Sequence, residues 1–187
     1  IVGIKPTWGR VSRYGVFALA ESLDHIGPMT RSAADAGIIL QAIAGLDPND
    51  PTSLPAAVPD MLEGIDEGVR GLKLGLDEEY ISGHTNPLLA ESVLAGIRVL
   101  EGLGAVIVSI QMPDISEYME AWGVLCTSEA LAAHEATYPS RRDDYGPWFQ
   151  GWLDKGAAVT GAEYAKANIV RSACRGLLAT VFENIYV

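Results

Sequence analysis

The 187 residues are enough for one domain with a real core, and 49% hydrophobic against 20% charged residues excludes wholesale disorder. Thirteen Lys and Arg against 24 Asp and Glu leave a net charge of −11, so a phosphate backbone is repelled and nucleic acid is not expected as a direct partner. No run reaches the roughly 18 apolar residues of a membrane helix, no leader pattern occurs, and Cys126 and Cys174 form no CxxC, which together predict a reduced, cytoplasmic chain away from membranes.

In chain order, Ile1-Val2-Gly3-Ile4 reads as the interior of a buried strand, and a turn-rich loop holding Gly9, Gly15, Gly27 and Pro28 follows. Ser32-x-x-Asp35 fits a capping start, and Ile38, Ile39, Ala42 and Ile43 make a helical stripe closed by Gly45. Residues 46–60 contain Pro48, Pro51, Pro55 and Pro59 and are expected to form an extended, Pro-rich surface connection. Alternation over 71–76 predicts a strand. Asn86-Pro87 opens a helix whose face carries Leu89, Val93, Leu94, Ile97 and Leu100, and 105–110 is a second strand. Strand, helix, strand predicts a βαβ unit with parallel strands.

After Met112-Pro113, residues 114–137 read as a long helix, and another runs to about Lys155. Thr160-x-x-Glu163 is a capping box for a last helix with Ala165, Ile169, Ala173, Leu177 and Val181 on one stripe. The class is α/β, with a mixed β-sheet containing the βαβ unit and flanked by helices. Apolar ends at Ile1 and at Phe182 to Val187 suggest a central piece of a longer protein forming a single partial domain over 1–187; a small domain with tucked-in terminal strands is the alternative.

Sites of reaction are sparse. There is no G-x-S-x-G, no S-x-x-K and no phosphate loop. His25, His84 and His134 are widely separated and no Cys pair helps, so neither a metal site nor a cofactor is expected. His134 reads as a surface or core residue and His84 as a solvent-exposed turn residue. Tyr145, Trp148, Phe149 and Trp152 either floor an apolar ligand pocket or close the end of the core. Asp77-Glu78-Glu79 follows a strand and is either a site at the strand's C-terminal end or a solvated loop. Arg141-Arg142-Asp143-Asp144 reads as self-compensating, and Cys126 as a buried, inert thiol.

The first fifty residues carry something more specific. They contain Gly3-Ile4-Lys5-Pro6-Thr7, Gly9-Arg10-Val11-Ser12, Gly15, Ser22-Leu23-Asp24-His25-Ile26-Gly27-Pro28-Met29-Thr30-Arg31-Ser32, Asp35, and Ile43-Ala44-Gly45-Leu46-Asp47-Pro48-Asn49-Asp50-Pro51-Thr52-Ser53. This series resembles the amidase signature family, which includes bacterial amidases and the A subunit of glutamyl-tRNA amidotransferase. The likeness is dense over 1–53, looser in Arg70-Gly71-Leu72-Lys73-Leu74-Gly75, and returns in Val181-Phe182-Glu183-Asn184-Ile185-Tyr186-Val187.

The resemblance implies a partial amidase-signature fold and amide-bond hydrolysis of a small-molecule amide by the parent protein. Family enzymes use a Ser nucleophile, a second Ser and a Lys, a set that passes a proton without histidine. None of the three is placed in this sequence, and Lys5 belongs to the G-I-K-P-T motif. No catalytic residue is therefore assigned, and residues 1–187 alone are expected to be inactive. For the substrate, Tyr14, Tyr145 and Trp148 are the candidate pocket walls. Ser22, Asp24 and Arg31 either tie the loop together, with an Asp24–Arg31 salt link, or touch substrate. The amidotransferase members of the family carry an Arg-Arg pair followed by Leu-Gly ahead of the last helix, where this chain reads Trp148-Phe149-Gln150-Gly151-Trp152-Leu153-Asp154-Lys155-Gly156. That departure favours a stand-alone amidase. The alternatives are the A subunit of a glutamine-dependent tRNA amidotransferase and a non-catalytic binding or assembly module. Unpaired strand edges predict that the piece forms a homo-oligomer.

Overall fold

In a computed structural model, residues 1–183, 185 and 186 are described, with the backbone alone at His84. The expectations for the His84 side chain and for Asn184 and Val187 lie outside the described residues. Contacts group into two compact units, one of Ile1–Ile65 with Trp122–Ala167 and the other of Asp66–Ala121 with Asn168–Val187.

The first unit begins with β1 (Val2–Gly3), which pairs antiparallel with β2 (Met29–Thr30). Helix α1 (Ala33–Ile43) starts where expected, because the Ser32 hydroxyl accepts from the Asp35 amide at 3.1 Å. Its buried residues are Ala36, Gly37 and Leu40. The expected stripe of Ile38, Ile39 and Ile43 is instead exposed. The small side of the helix faces inward because Met61 and Leu62 close on Gly37, where a Cβ would meet the Leu62 Cδ2 at 2.9 Å.

The Pro-rich segment also differs from the expectation of an extended connection. Two successive turns close at Asp50 N to Asp47 O and Ser53 N to Asp50 O, each 3.0 Å. Asp50 and Ser53 are buried. The Asp47 and Asp50 carboxylates accept from the amides two residues on, at 2.9 Å each, which is how Asx turns fold a proline-bearing stretch back on itself.

Helix α4 (Ser116–His134), a short 3₁₀ turn at Arg142–Asp144, α5 (Pro147–Ala158) and α6 (Gly161–Val181) follow later in the chain. The unit's apolar centre is Ala130, Tyr138 and Leu153, packed by Leu131, Tyr145, Phe149 and Trp152. Close approach of α4 and α5 is possible because a Cβ on Gly156 would lie 2.2 Å from the Thr127 carbonyl oxygen. The Thr160–Glu163 capping box forms reciprocally, with Thr160 N donating to Glu163 at 2.7 Å and Glu163 N to Thr160 at 3.2 Å.

The second unit holds the βαβ unit. Strand β3 (Lys73–Leu76) pairs parallel with β4 (Val106–Ser109), Lys73 opposite Val106 and Leu76 opposite Ser109. Between them runs α3 (Pro87–Gly102), capped by Asn86, whose side chain accepts from the Leu88 amide at 3.0 Å. A short helix α2 (Glu78–His84) precedes α3 and replaces the solvated loop expected at 77–79. Asp77 caps it through the Tyr80 amide at 2.8 Å and also accepts from the Met112 amide at 2.7 Å. These bonds hold the Asp77 carboxyl below its ordinary range, the Met112 amide contributing most. The strands therefore form separate parallel and antiparallel pairs, both in an α/β setting. Among the described residues no helix is long and apolar enough to cross a membrane.

Candidate functional site

The first unit concentrates its buried polar groups around the loop from Trp8 to Ile26. Gly9 lets that loop begin: its φ is +79°, and an added Cβ would sit 2.5 Å from the Thr52 carbonyl oxygen. Arg13 is buried beneath it. Its Nη2 donates to the Thr52 hydroxyl at 2.5 Å and its Nη1 to the Asp24 carbonyl at 3.4 Å, while its guanidinium lies 4.4 Å from the Trp8 ring centroid. The Glu21 carboxylate stands 3.5 Å away at the surface. The Arg13 amide donates to Asp50 at 2.9 Å. That bond, followed by those from Thr52, holds the Asp50 carboxyl down at about 2.

Asp24 does not meet Arg31, correcting the expected salt link. Its carboxylate accepts from the Leu19 and Ala20 amides at 2.8 and 3.1 Å, and Arg31 is exposed beyond β2. Ser22 is held from outside the loop by Glu129 of α4. Glu129 accepts from the Ser22 amide at 2.7 Å, the Ser22 hydroxyl at 2.5 Å and the Tyr164 hydroxyl at 2.8 Å. One buried carboxylate thus ties the loop to α4 and α6.

An aromatic array adjoins this loop. The Phe17 ring lies 5.0 Å from His134, which lies 5.3 Å from Tyr145 and 5.1 Å from Phe149. His134 Nδ1 is 2.9 Å from the Tyr145 hydroxyl, which also meets the Thr137 hydroxyl. Phe149 stacks on Trp148, and Trp148 on Trp152 at 5.3 Å and 17°. Tyr145 and Trp148 are therefore brought into one array through Phe149, with Trp148 75% exposed at its open end. Tyr14 is 67% exposed and joins none of these ring contacts among the described residues.

Arg142 corrects the reading of 141–144 as self-compensating. Arg141 does pair with Asp144, at 2.6 Å, but Arg142 makes a bidentate pair with Asp154 of α5 at 2.7 and 2.6 Å. The Tyr138 hydroxyl donates to the same carboxylate and accepts from Arg142. The Arg142 contacts, then Tyr138, hold the Asp154 carboxyl at about 2. Burial, then the Asp154 bond, raises the Tyr138 phenol. Burial raises the Cys126 thiol as well, with Asp24 and Glu129 adding repulsion, and Cys126 is buried as expected.

Sequence reasoning passed over Arg13, Asp50, Glu129 and Asp154. For Asp50 a signal existed in the Asp-Pro-Thr-Ser turn chemistry; for Glu129 and Asp154 the partners are too distant in the chain for any local pattern. Among the described residues no three His, Cys, Asp or Glu side chains group as metal ligands.

This α/β arrangement matches part of the fold of a solved amidase. The family model described as Amidase matches residues 1–186, and the chain belongs to that family. The A subunit of glutamyl-tRNA(Gln) amidotransferase from Pseudomonas fluorescens strain Pf0-1 is 35% identical over 191 residues, covering 92% of this chain and 40% of the relative. The crystal structure of the A subunit of glutamyl-tRNA(Gln) amidotransferase from Thermotoga maritima matches with a TM-score of 0.78 at 34% identity, over 97% of this chain and 40% of that one. A crystal structure of an amidase matches with a TM-score of 0.80 at 26% identity, over 98% of this chain and 38% of that one. The chain spans about 40% of the length of these relatives.

Proposed function

We propose that the protein containing these residues hydrolyses the amide bond of a small molecule, in the cytoplasm. The observation that carries this is the Amidase family match along residues 1–186. Residues 1–187 supply the wall and its supports in this proposal, while the Ser-Ser-Lys set stands elsewhere in the whole protein. Trp148 and Tyr145 serve as apolar walls, since the Tyr145 hydroxyl is already engaged by His134 and Thr137. Tyr14 reaches substrate from the loop edge. A second reading, the A subunit of a glutamine-dependent tRNA amidotransferase, is favoured by the names of the relatives at 33–45% identity. Against it stands the Trp148–Gly156 stretch, which lacks an Arg-Arg pair followed by Leu-Gly.

The test is turnover of acetamide, benzamide, acyl anilides and glutamine by the full-length protein and by residues 1–187. The full-length protein should release ammonia or amine, and residues 1–187 should not exceed a heat-killed control. Turnover by residues 1–187 would overturn the placement of the catalytic set. Strict dependence on glutamine, with transfer to charged tRNA when partner proteins are added, would select the second reading.

A further inference from the structure

Helix α3 carries two apolar faces. Its inward side holds buried Ala90 and half-buried Leu94, Ile97 and Leu100. On the outward side Leu88, Ser92, Gly96, Val99 and Leu103 fall on one line at helical spacing. Leu88 is 76% exposed, Val99 61% and Leu103 59%, and Leu89 flanks them at 57%. A surface helix with no partner turns polar and charged residues to water on that side.

The middle of the line is small. A Cβ on Gly96 would meet no atom within 4 Å, so nothing in the described chain calls for a residue that weakens a helix interior. A second helix packed closely across it does. The Ser92 hydroxyl donates to the Leu88 carbonyl at 2.9 Å, so Ser92 is covered without losing a hydrogen bond. One flank of the line carries Glu91 and, two turns on, Arg98, and neither forms an ion pair among the described residues.

We propose that this outward face is the interface with a second copy of the chain, the two α3 helices running antiparallel about a two-fold axis at Gly96. Turned end for end, the line fits itself. Leu88 of each copy meets Leu103 of the other, Ser92 meets Val99, and the two glycines meet at the axis. The same rotation lays the charged flank against its own copy, so Glu91 of one copy comes within reach of Arg98 of the other, twice over. A parallel pair would instead set that flank against the apolar Leu89 side. One helix pair buries on the order of 1,000 Å², the lower end for a specific interface, so a dissociation constant of about 1–100 μM is expected. The proposal stands independently of the amide reading.

Sedimentation equilibrium of the full-length protein, over about 1–200 μM, should show a monomer–dimer equilibrium. Val99→Lys puts a cation in the middle of the face and should weaken dimerisation about tenfold or more, with circular dichroism unchanged. If that variant does not fold, Leu88→Glu breaks the face from the first turn, where a carboxylate suits the helix. Glu91→Arg and Arg98→Glu should each weaken the dimer severalfold, and the double reversal should return it to within about twofold of the parent. A protein that stays monomeric over this range, its α3 covered by the rest of the chain or by another protein, overturns the proposal. So does a dimer indifferent to Val99→Lys and Leu88→Glu, or a double reversal that fails to rescue the single ones.

Discussion

Glu129→Ala tests whether one carboxylate anchors the loop from Trp8 to Ile26. The side chain is buried and accepts three hydrogen bonds, from the Ser22 amide and hydroxyl and from the Tyr164 hydroxyl. Hydrogen bonds to a charged acceptor are worth about 1.5–3 kcal/mol each, but they are not additive. Ser22 and Tyr164 are only half-buried, so water re-solvates part of what is lost. The expected net cost is about 2–3 kcal/mol, dominated by the loss of the two bonds from Ser22 to the charged carboxylate. For a chain of this size that lowers Tm by about 5–10 °C. Glu129→Gln keeps an acceptor and the side-chain shape, so its loss should be less than half as large. Thermal melts of the three proteins in one buffer, with proteolysis of the 9–31 loop as a local readout, measure both effects. If Glu129→Ala melts within about 1 °C of the parent and the loop is no more readily cut, the buried carboxylate does not hold the loop and the reasoning fails.

Three further outcomes are expected. Asp24→Ala strands the Leu19 and Ala20 amides and should cost about 1–2 kcal/mol, whereas exposed Arg31→Ala should change stability by less than about 0.5 kcal/mol; equal losses would restore the Asp24–Arg31 link. Asp50 and Asp154 have folded values of about 2, below the unfolded value near 3.9, so their stabilisation is complete above about pH 4 and disappears as pH falls toward 2. Asp50→Asn should therefore flatten the stability curve across that window in acid titrations followed by circular dichroism, and an unchanged curve would contradict the assignment. Residues 1–187 should self-associate at tens of micromolar through exposed Ile38, Ile39 and Ile43, with Ile39→Lys shifting the light-scattering mass toward monomer; a monomeric parent would refute this.

How far the sequence speaks depends on how far apart the interacting groups lie. Ser32 with Asp35, Asn86 with Pro87 and Leu88, and Thr160 with Glu163 meet within three residues, and each of those helix starts was legible. The parallel strands around α3 were legible too, because a helix-length period between two short β-rich runs admits few other topologies. Helix α2 was not, since seven residues are too few to show a period and its cap is read only once Asp77 is seen bonded to Tyr80 and Met112. On α1 the apolar period pointed to Ile38, Ile39 and Ile43, yet the side buried here is the small one, because what matters is the close approach that Gly37 permits to Met61 and Leu62.

The same distinction runs through the candidate site. The motif series over 1–53 identified the family from residue order alone, and the aromatic residues at 145–152 were visible as a cluster. That Phe17 and His134 join that cluster, that Glu129 reaches Ser22 across 107 positions, and that Arg142 selects Asp154 over its neighbour Asp143 came only from the tertiary structure. Local hydrogen-bond and backbone preferences are carried by a few adjacent residues and survive in the sequence. The partner of a buried charge is chosen by which carboxylate the packed backbone brings within about 3 Å, and chain order does not contain that distance.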